Sequence, residues 1–153
     1  MTQEENKTNP KILWVDDTFS NDIHELMAYV DELEDSGFKV TRVDNPDKAL
    51  EELKKQKEFS CIILDIMLPY GDSIPRGKAQ AGNTTGIVLE GMIRRMDRHK
   101  DVPIIMLTGV RRQEKIVQDY IKENKDTYFK GGISAEDFRE VIKKRISEEP
   151  KND

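Results

Sequence analysis

CIILDIMLP, Cys61 to Pro69, is four apolar residues running into Asp65, then Ile66, Met67 and Leu68 before a proline. A short continuous apolar run closed by proline fits a strand buried on both faces, as in a parallel sheet. Length alone leaves a buried helix open; the Cys-Ile-Ile content and the proline favour strand. Asp65 then stands near the carboxyl end of a central strand, the edge where open α/β sheets build their sites. A carboxylate there either caps the next element or does chemistry, and this stretch leaves both open.

The same grammar recurs on either side. Lys11-Ile12-Leu13-Trp14-Val15 ends in Asp16-Asp17, Val102–Leu107 ends in Thr108-Gly109, and Thr127-Tyr128-Phe129 ends in Lys130-Gly131-Gly132. Phe38–Val43 alternates apolar and polar residues and ends in Asp44, which suits a strand at the sheet edge. Helical spacing fills the intervals. Ile23, Leu26, Met27, Val30 and Leu33 predict a helix from Asn21 to Asp35, with Thr18 or Ser20 as its cap and Gly37 as its stop. Asn45-Pro46 opens a second helix with Ala49, Leu50 and Leu53 as its stripe. Gly86 opens a third, with Ile87, Leu89, Met92, Ile93 and Met96 on one face. Arg111 to Glu123 is a charged fourth helix with Ile116, Val117, Tyr120 and Ile121 inward. Ser134 and Asp137 resemble a capping box before a fifth, marked by Phe138, Val141, Ile142 and Ile146.

Five strands alternating with five helices predict a doubly wound α/β fold, a five-stranded parallel sheet with helices on both faces. The domain is expected over residues 11–146, between a disordered arm (1–10) and a flexible tail (147–153). Residues 70–85, YGDSIPRGKAQAGNTT, read as a long loop insertion without core periodicity, so its removal is expected to spare the fold. Its glycines, Tyr70 and Ile74, and the cations Arg76 and Lys78 suggest a lid or docking surface beside Asp65. His24 and His99 read as surface side chains, and Cys61 as a small core residue.

Composition narrows the function. The chain has 153 residues, a net charge of −5 and 36% charged residues. That balance argues against direct nucleic-acid binding or an anionic membrane partner. No stretch approaches the ~18 apolar residues of a membrane span. The polar amino terminus is no signal peptide. A single cysteine permits no disulfide within the chain and fits a reducing cytoplasm.

In a parallel sheet the strand ends lie on one side, so Asp16, Asp17, Asp65, Thr108 and Lys130 are expected to converge. Three close carboxylates repel and need a cation. An all-oxygen set suits Mg²⁺ rather than zinc or copper. Hydrated Mg²⁺ suits a phosphate ligand, and Lys130 and Thr108 are apt partners for further phosphoryl oxygens.

With ILWVDD, ILDIMLP, VPIIMLTG and TYFKGG in this order, the chain resembles the receiver domain of two-component response regulators from Lys11 to Ile146. The resemblance implies a flavodoxin-like (βα)5 fold and a stand-alone, single-domain regulator. Asp65 would be the phosphoacceptor, attacking a phosphohistidine or a small phosphodonor. Mg²⁺ would be bound by Asp17 directly, Asp16 largely through water, Asp65, and the backbone carbonyl of Met67. Lys130 would pair with the phosphoryl group, and Thr108 would bond it and signal to the fourth helix. A histidine kinase or phosphotransfer protein would be the donor, and an undetermined downstream protein the target. No separate catalytic activity is expected beyond self-phosphorylation and autodephosphorylation. Two other classes stay open: a pseudo-receiver that takes no phosphate, and a Mg²⁺ phosphohydrolase on a similar sheet. The latter wants Asp-x-Asp at the first strand, where this chain has Asp16-Asp17-Thr18. The chain departs from the family in three places. Gly131 stands where proline usually follows the lysine, which is expected to loosen that joint. Thr127 stands where the family has an aromatic residue. The loop after Asp65 is longer than usual.

Overall fold

The computed structural model describes residues 9–21, 25–55, 58–74, 84–109, 115–123 and 126–148. Five strands form one parallel sheet: β1 (Lys11–Val15), β2 (Lys39–Val43), β3 (Cys61–Leu64), β4 (Ile104–Thr108) and β5 (Thr127–Phe129). Their spatial order is β2-β1-β3-β4-β5. This is the flavodoxin-like order, with its crossover between β1 and β3. Register runs Val15↔Leu64, Leu64↔Met106 and Thr108↔Phe129 across the inner pairs.

The helices are α1 (Met27–Asp35), α2 (Pro46–Lys54), α3 (Thr85–Arg94), α4 (Lys115–Glu123) and α5 (Ala135–Ser147). Strand alternation splits the core in two. Leu13, Val15, Ile62, Leu64 and Met106 face α2, α3 and α4 through Leu50, Leu53, Leu89, Ile93, Tyr120 and Ile121. Ile12, Trp14, Ile63 and Leu107 face α1 and α5 through Val30, Leu33, Phe138 and Ile142. β1, β3 and β4 are covered on both sides, which is why they read as unbroken apolar runs. No helix among the described residues is long and apolar enough to cross a membrane.

Several boundaries differ from the sequence expectation. α1 starts at Met27, not Asn21, and a short 3-10 helix, Asp17–Ser20, stands before it. Asp16 caps that turn by accepting from Thr18 N–H at 2.9 Å, while the N-cap of α1 is Leu26, with no side-chain cap bond, so neither Thr18 nor Ser20 caps the helix. Met27, expected inward, is 43% exposed; Tyr29 is the buried residue instead. Ile23 and His24 lie outside the described residues, as do residues 110–114 at the expected start of the fourth helix. α3 begins one residue early, at Thr85. α5 runs to Ser147, one residue past the expected domain end at 146. His99 is buried rather than on the surface, its Nε2 3.0 Å from the Leu53 carbonyl oxygen. The expected caps Asn45 and Ser134 hold: each accepts from the backbone N–H three residues on, Lys48 and Asp137.

The segment after β3 also needs correction. Residues 75–83, with Arg76 and Lys78, lie outside the described residues. Ile74, however, is buried in the α2/α3 core, and Thr84 and Thr85 are buried at the start of α3. Tyr70 packs against the same core. A deletion from Tyr70 to Thr85 therefore removes core residues and would not spare the fold. One apolar residue in a polar stretch has no periodicity to reveal it.

Candidate functional site

The sheet's backbone ladder continues one residue past three strands and so sets the site. Asp16 N–H donates to Val43 O at 3.1 Å, Asp65 N–H to Val15 O at 3.1 Å, and Lys130 N–H to Thr108 O at 2.9 Å. Each functional residue is thus pinned by its neighbour strand before any side chain acts. Thr108 is the last residue of β4.

The side chains converge. Lys130 Nζ lies 2.8 Å from Asp16 Oδ2 and 2.9 Å from Asp65 Oδ2. Thr108 Oγ1 donates to Asp65 Oδ1 at 2.5 Å, and Met67 N–H donates to the same oxygen at 3.2 Å. Asp16, Asp17 and Asp65 each offer an oxygen within 4.8 Å of the others'. Asp16, Asp65 and Thr108 are buried, while Asp17 is exposed at the mouth. All the residues expected to meet at this edge do meet. Met67 is placed beside them by its amide; its side chain is 44% exposed.

This arrangement is electrostatically strained in a way a cation relieves. Burial, then the neighbouring Asp16 charge, raises the Asp65 carboxyl to about 6, with Lys130 and Thr108 pulling the other way. Burial and Asp16 also raise Asp17. Burial works against the Lys130 charge, but Asp65 and Asp16 outweigh it and raise the ammonium. One lysine therefore serves two buried carboxylates. Asp16 Oδ2 is buried and makes its lysine contact as an ion pair, without hydrogen-bond geometry. A hard divalent cation fits an all-carboxylate set with an under-bonded buried oxygen.

Two neighbours, Glu25 and Tyr29, were missed by sequence reasoning, and a third, Gly86, was read only as the opening of a helix. Glu25 Oε1 reaches to 4.0 Å of Lys130 Nζ from before α1. Tyr29 on α1 donates its hydroxyl to Ile133 O at 2.6 Å and accepts from Gly131 N–H at 3.3 Å, fixing the turn that follows Lys130. Gly86 lies where α3 backs onto the acidic loop, its N–H donating to Ile66 O at 2.8 Å. A Cβ there would lie 1.9 Å from the Asp65 carbonyl oxygen. Only Gly86 left a signal, as a glycine opening a helix; the other two are visible only once α1 is packed.

The family model described as response regulator receiver domain matches residues 12–143. No curated protein matches. Among solved structures, the chain is similar to a chemotaxis response regulator of Vibrio cholerae at 21% identity and a TM-score of 0.63, over 90% of this chain and 98% of that one. It is similar to a response regulator from Desulfuromonas acetoxidans at 19% identity and a TM-score of 0.65, covering 90% and 97%. It is also similar to a response regulator receiver domain protein from Clostridium thermocellum at 18% identity and a TM-score of 0.63, covering 90% and 94%. At these identities the structures establish a shared fold.

Proposed function

The chain belongs to the response regulator receiver domain family, and we propose that it is a phosphoacceptor of a two-component or phosphorelay system, with Asp65 as the acceptor. The observation that carries this reading is the Asp65 carboxylate itself. One oxygen is held by Thr108 and the other by Lys130, with Asp16 and Asp17 alongside.

In the proposed step an Asp65 oxygen attacks the phosphorus of a phosphohistidine. A P–O bond forms as the P–N bond breaks, and the imidazole leaves with the electron pair. Such transfer needs positioning and charge neutralisation above all. Lys130 neutralises the phosphoryl oxygens, and Thr108 turns its hydroxyl from Asp65 to one of them. Asp16, Asp17, Asp65 and the Met67 carbonyl would hold Mg²⁺, which when bound neutralises charge shared between the carboxylates and the phosphoryl group. With its carboxyl raised only to about 6, Asp65 is an anion, and so a nucleophile, at neutral pH. A histidine kinase or phosphotransfer protein in the cytoplasm would supply the phosphoryl group, and a protein that reads the phosphorylated state would receive the output.

The test is intact mass after incubation with acetyl phosphate and Mg²⁺. The wild type should gain one labile phosphoryl group. Asp65→Asn, which removes the nucleophile and keeps the shape, should gain none while remaining folded. Labelling of folded Asp65→Asn at the wild-type level refutes the acceptor assignment, and a wild type that gains nothing refutes phosphoacceptance altogether.

A further inference from the structure

The chain leaves the site through residues 65–74, and this segment is fastened at a point the phosphoryl chemistry does not use. Asp47, in the first turn of α2, accepts from two consecutive backbone amides with its two oxygens. Asp72 N–H donates to Oδ2 at 2.7 Å and Ser73 N–H donates to Oδ1 at 2.8 Å. These bonds hold the Asp47 carboxyl below its usual range. Gly71, at φ +66°, brings the backbone so close that a Cβ there would lie 2.7 Å from Asp47 Oδ2. Leu68 and Ile74 are buried on either side of the clamp, 3% exposed each.

The position of this clamp in the sheet gives it a consequence. Asp47 follows β2 and the clamped segment follows β3, while β1 lies between those strands. The clamp therefore passes beside the end of β1, where Asp16 and Asp17 stand. Asp17, Asp44, Asp47, Pro69 and Gly71 line one open groove of about 580 Å³. Its rim is fixed by the clamp on one side and by the 3-10 turn carrying Asp17 on the other.

Building on the proposed metal site, we infer that Asp47 is a positioning residue for it. Its bidentate hold on Asp72 and Ser73 fixes the Met67–Ile74 segment to α2, and so sets where the Met67 carbonyl stands relative to Asp17 and Asp65. Groups that orient metal ligands without touching the metal commonly change affinity about 10-fold when removed. Asp47 is a member of this class through the backbone, since the ligand it orients is a peptide carbonyl.

Two measurements on the full chain test this. The first is amide hydrogen exchange of the metal-free protein. Asp47→Ala should speed exchange not only at Asp72 and Ser73 but also at Met67, whose N–H donates to Asp65. The second is Mg²⁺ titration by calorimetry. Asp47→Ala should weaken binding by about 10-fold. Asp47→Asn, which keeps one acceptor oxygen, should fall between it and the wild type. Gly71→Ala, which drives a methyl into the Asp47 carboxylate, should reproduce the Asp47→Ala defect. A stabilising surface contact with no positioning role would lower the melting temperature and leave Mg²⁺ affinity unchanged, and that result overturns the inference. Unchanged exchange at Met67 overturns it equally. If the wild type binds no Mg²⁺, the proposed metal site fails instead, and the exchange at Met67 still decides whether Asp47 fixes this segment.

Discussion

Gly86→Ala asks whether the acidic edge is held by backbone packing. The added Cβ would lie 1.9 Å from the Asp65 carbonyl oxygen and 2.8 Å from both the Asp65 carbonyl carbon and Ile66 Cα. All three obstacles are backbone, so no rotamer change relieves them. To reach even 3.0 Å, α3 and the Asp65 loop must part by 1.1 Å (3.0 less 1.9). Such overpacking costs ~1–3 kcal/mol. The Gly86 N–H to Ile66 O bond, now 2.8 Å, is lost in the process, at ~1 kcal/mol. Helix propensity returns at most ~1 kcal/mol. The net expectation is a loss of ~1–3 kcal/mol. Gly91 supplies the control, since a Cβ there meets nothing within 4 Å. Gly91→Ala should therefore gain ~1 kcal/mol from propensity alone. Urea unfolding of both variants, compared at equal m-value, reads the difference. If Gly86→Ala proves as stable as Gly91→Ala, the close approach of α3 to Asp65 is not real.

In metal-free protein, Asp65 should make stability depend on pH. Its carboxyl is raised from 3.8 to about 6 on folding, so its stabilising contribution is full below about pH 4 and lost as pH rises through about 6, by up to ~3 kcal/mol. The difference in urea midpoint between wild type and Asp65→Asn, followed in EDTA from pH 4 to 8, should show this slope; parallel profiles would contradict it. Adding Mg²⁺ at neutral pH should raise the wild-type melting temperature by mass action, and Asp17→Ala should abolish that response. Tyr29→Phe should cost ~1 kcal/mol and slow phosphorylation from acetyl phosphate by loosening the turn behind Lys130; an unchanged rate would confine Tyr29 to packing. His99→Leu removes the buried bond to the Leu53 carbonyl and should cost ~1–3 kcal/mol with no change in Mg²⁺ response, because the bond lies away from the acidic edge.

The parallel sheet was legible because β1, β3 and β4 are covered on both faces, which turns each into a short apolar run with a polar residue at its carboxyl end. The site was legible for the same reason: a parallel sheet sends every such end to one edge. Residues whose role depends on a distant partner left no local mark. His99 looked like a loop residue because its acceptor, the Leu53 carbonyl, is 46 positions away. Ile74 looked like loop filler because one buried residue makes no period. Met27 was assigned inward from helical spacing, but the buried stripe there runs through Leu26, Tyr29, Val30 and Leu33, which turns Met27 to solvent.

The departures from the family pattern behave differently from one another once packed. Gly131 was expected to loosen the joint after Lys130. It adopts φ +79°, which proline cannot reach. It also offers an N–H, which proline lacks, and that N–H donates to Tyr29 Oη at 3.3 Å. The joint is tied to α1 by a hydrogen bond where a ring would otherwise have stiffened it, so glycine here replaces one restraint with another. At Thr127 the register decides where the aromatic residues stand. In the β4–β5 register it pairs with Met106, Tyr128 pairs with Leu107, and Phe129 pairs with Thr108. Tyr128 turns to the α1/α5 side, where it meets Phe138 edge to face. Phe129, two residues on from Thr127, shares its facing and stands in register with Thr108 itself. An aromatic side chain is thus still available in the row of the hydroxyl that bonds Asp65, two pairs nearer the acidic edge than Thr127.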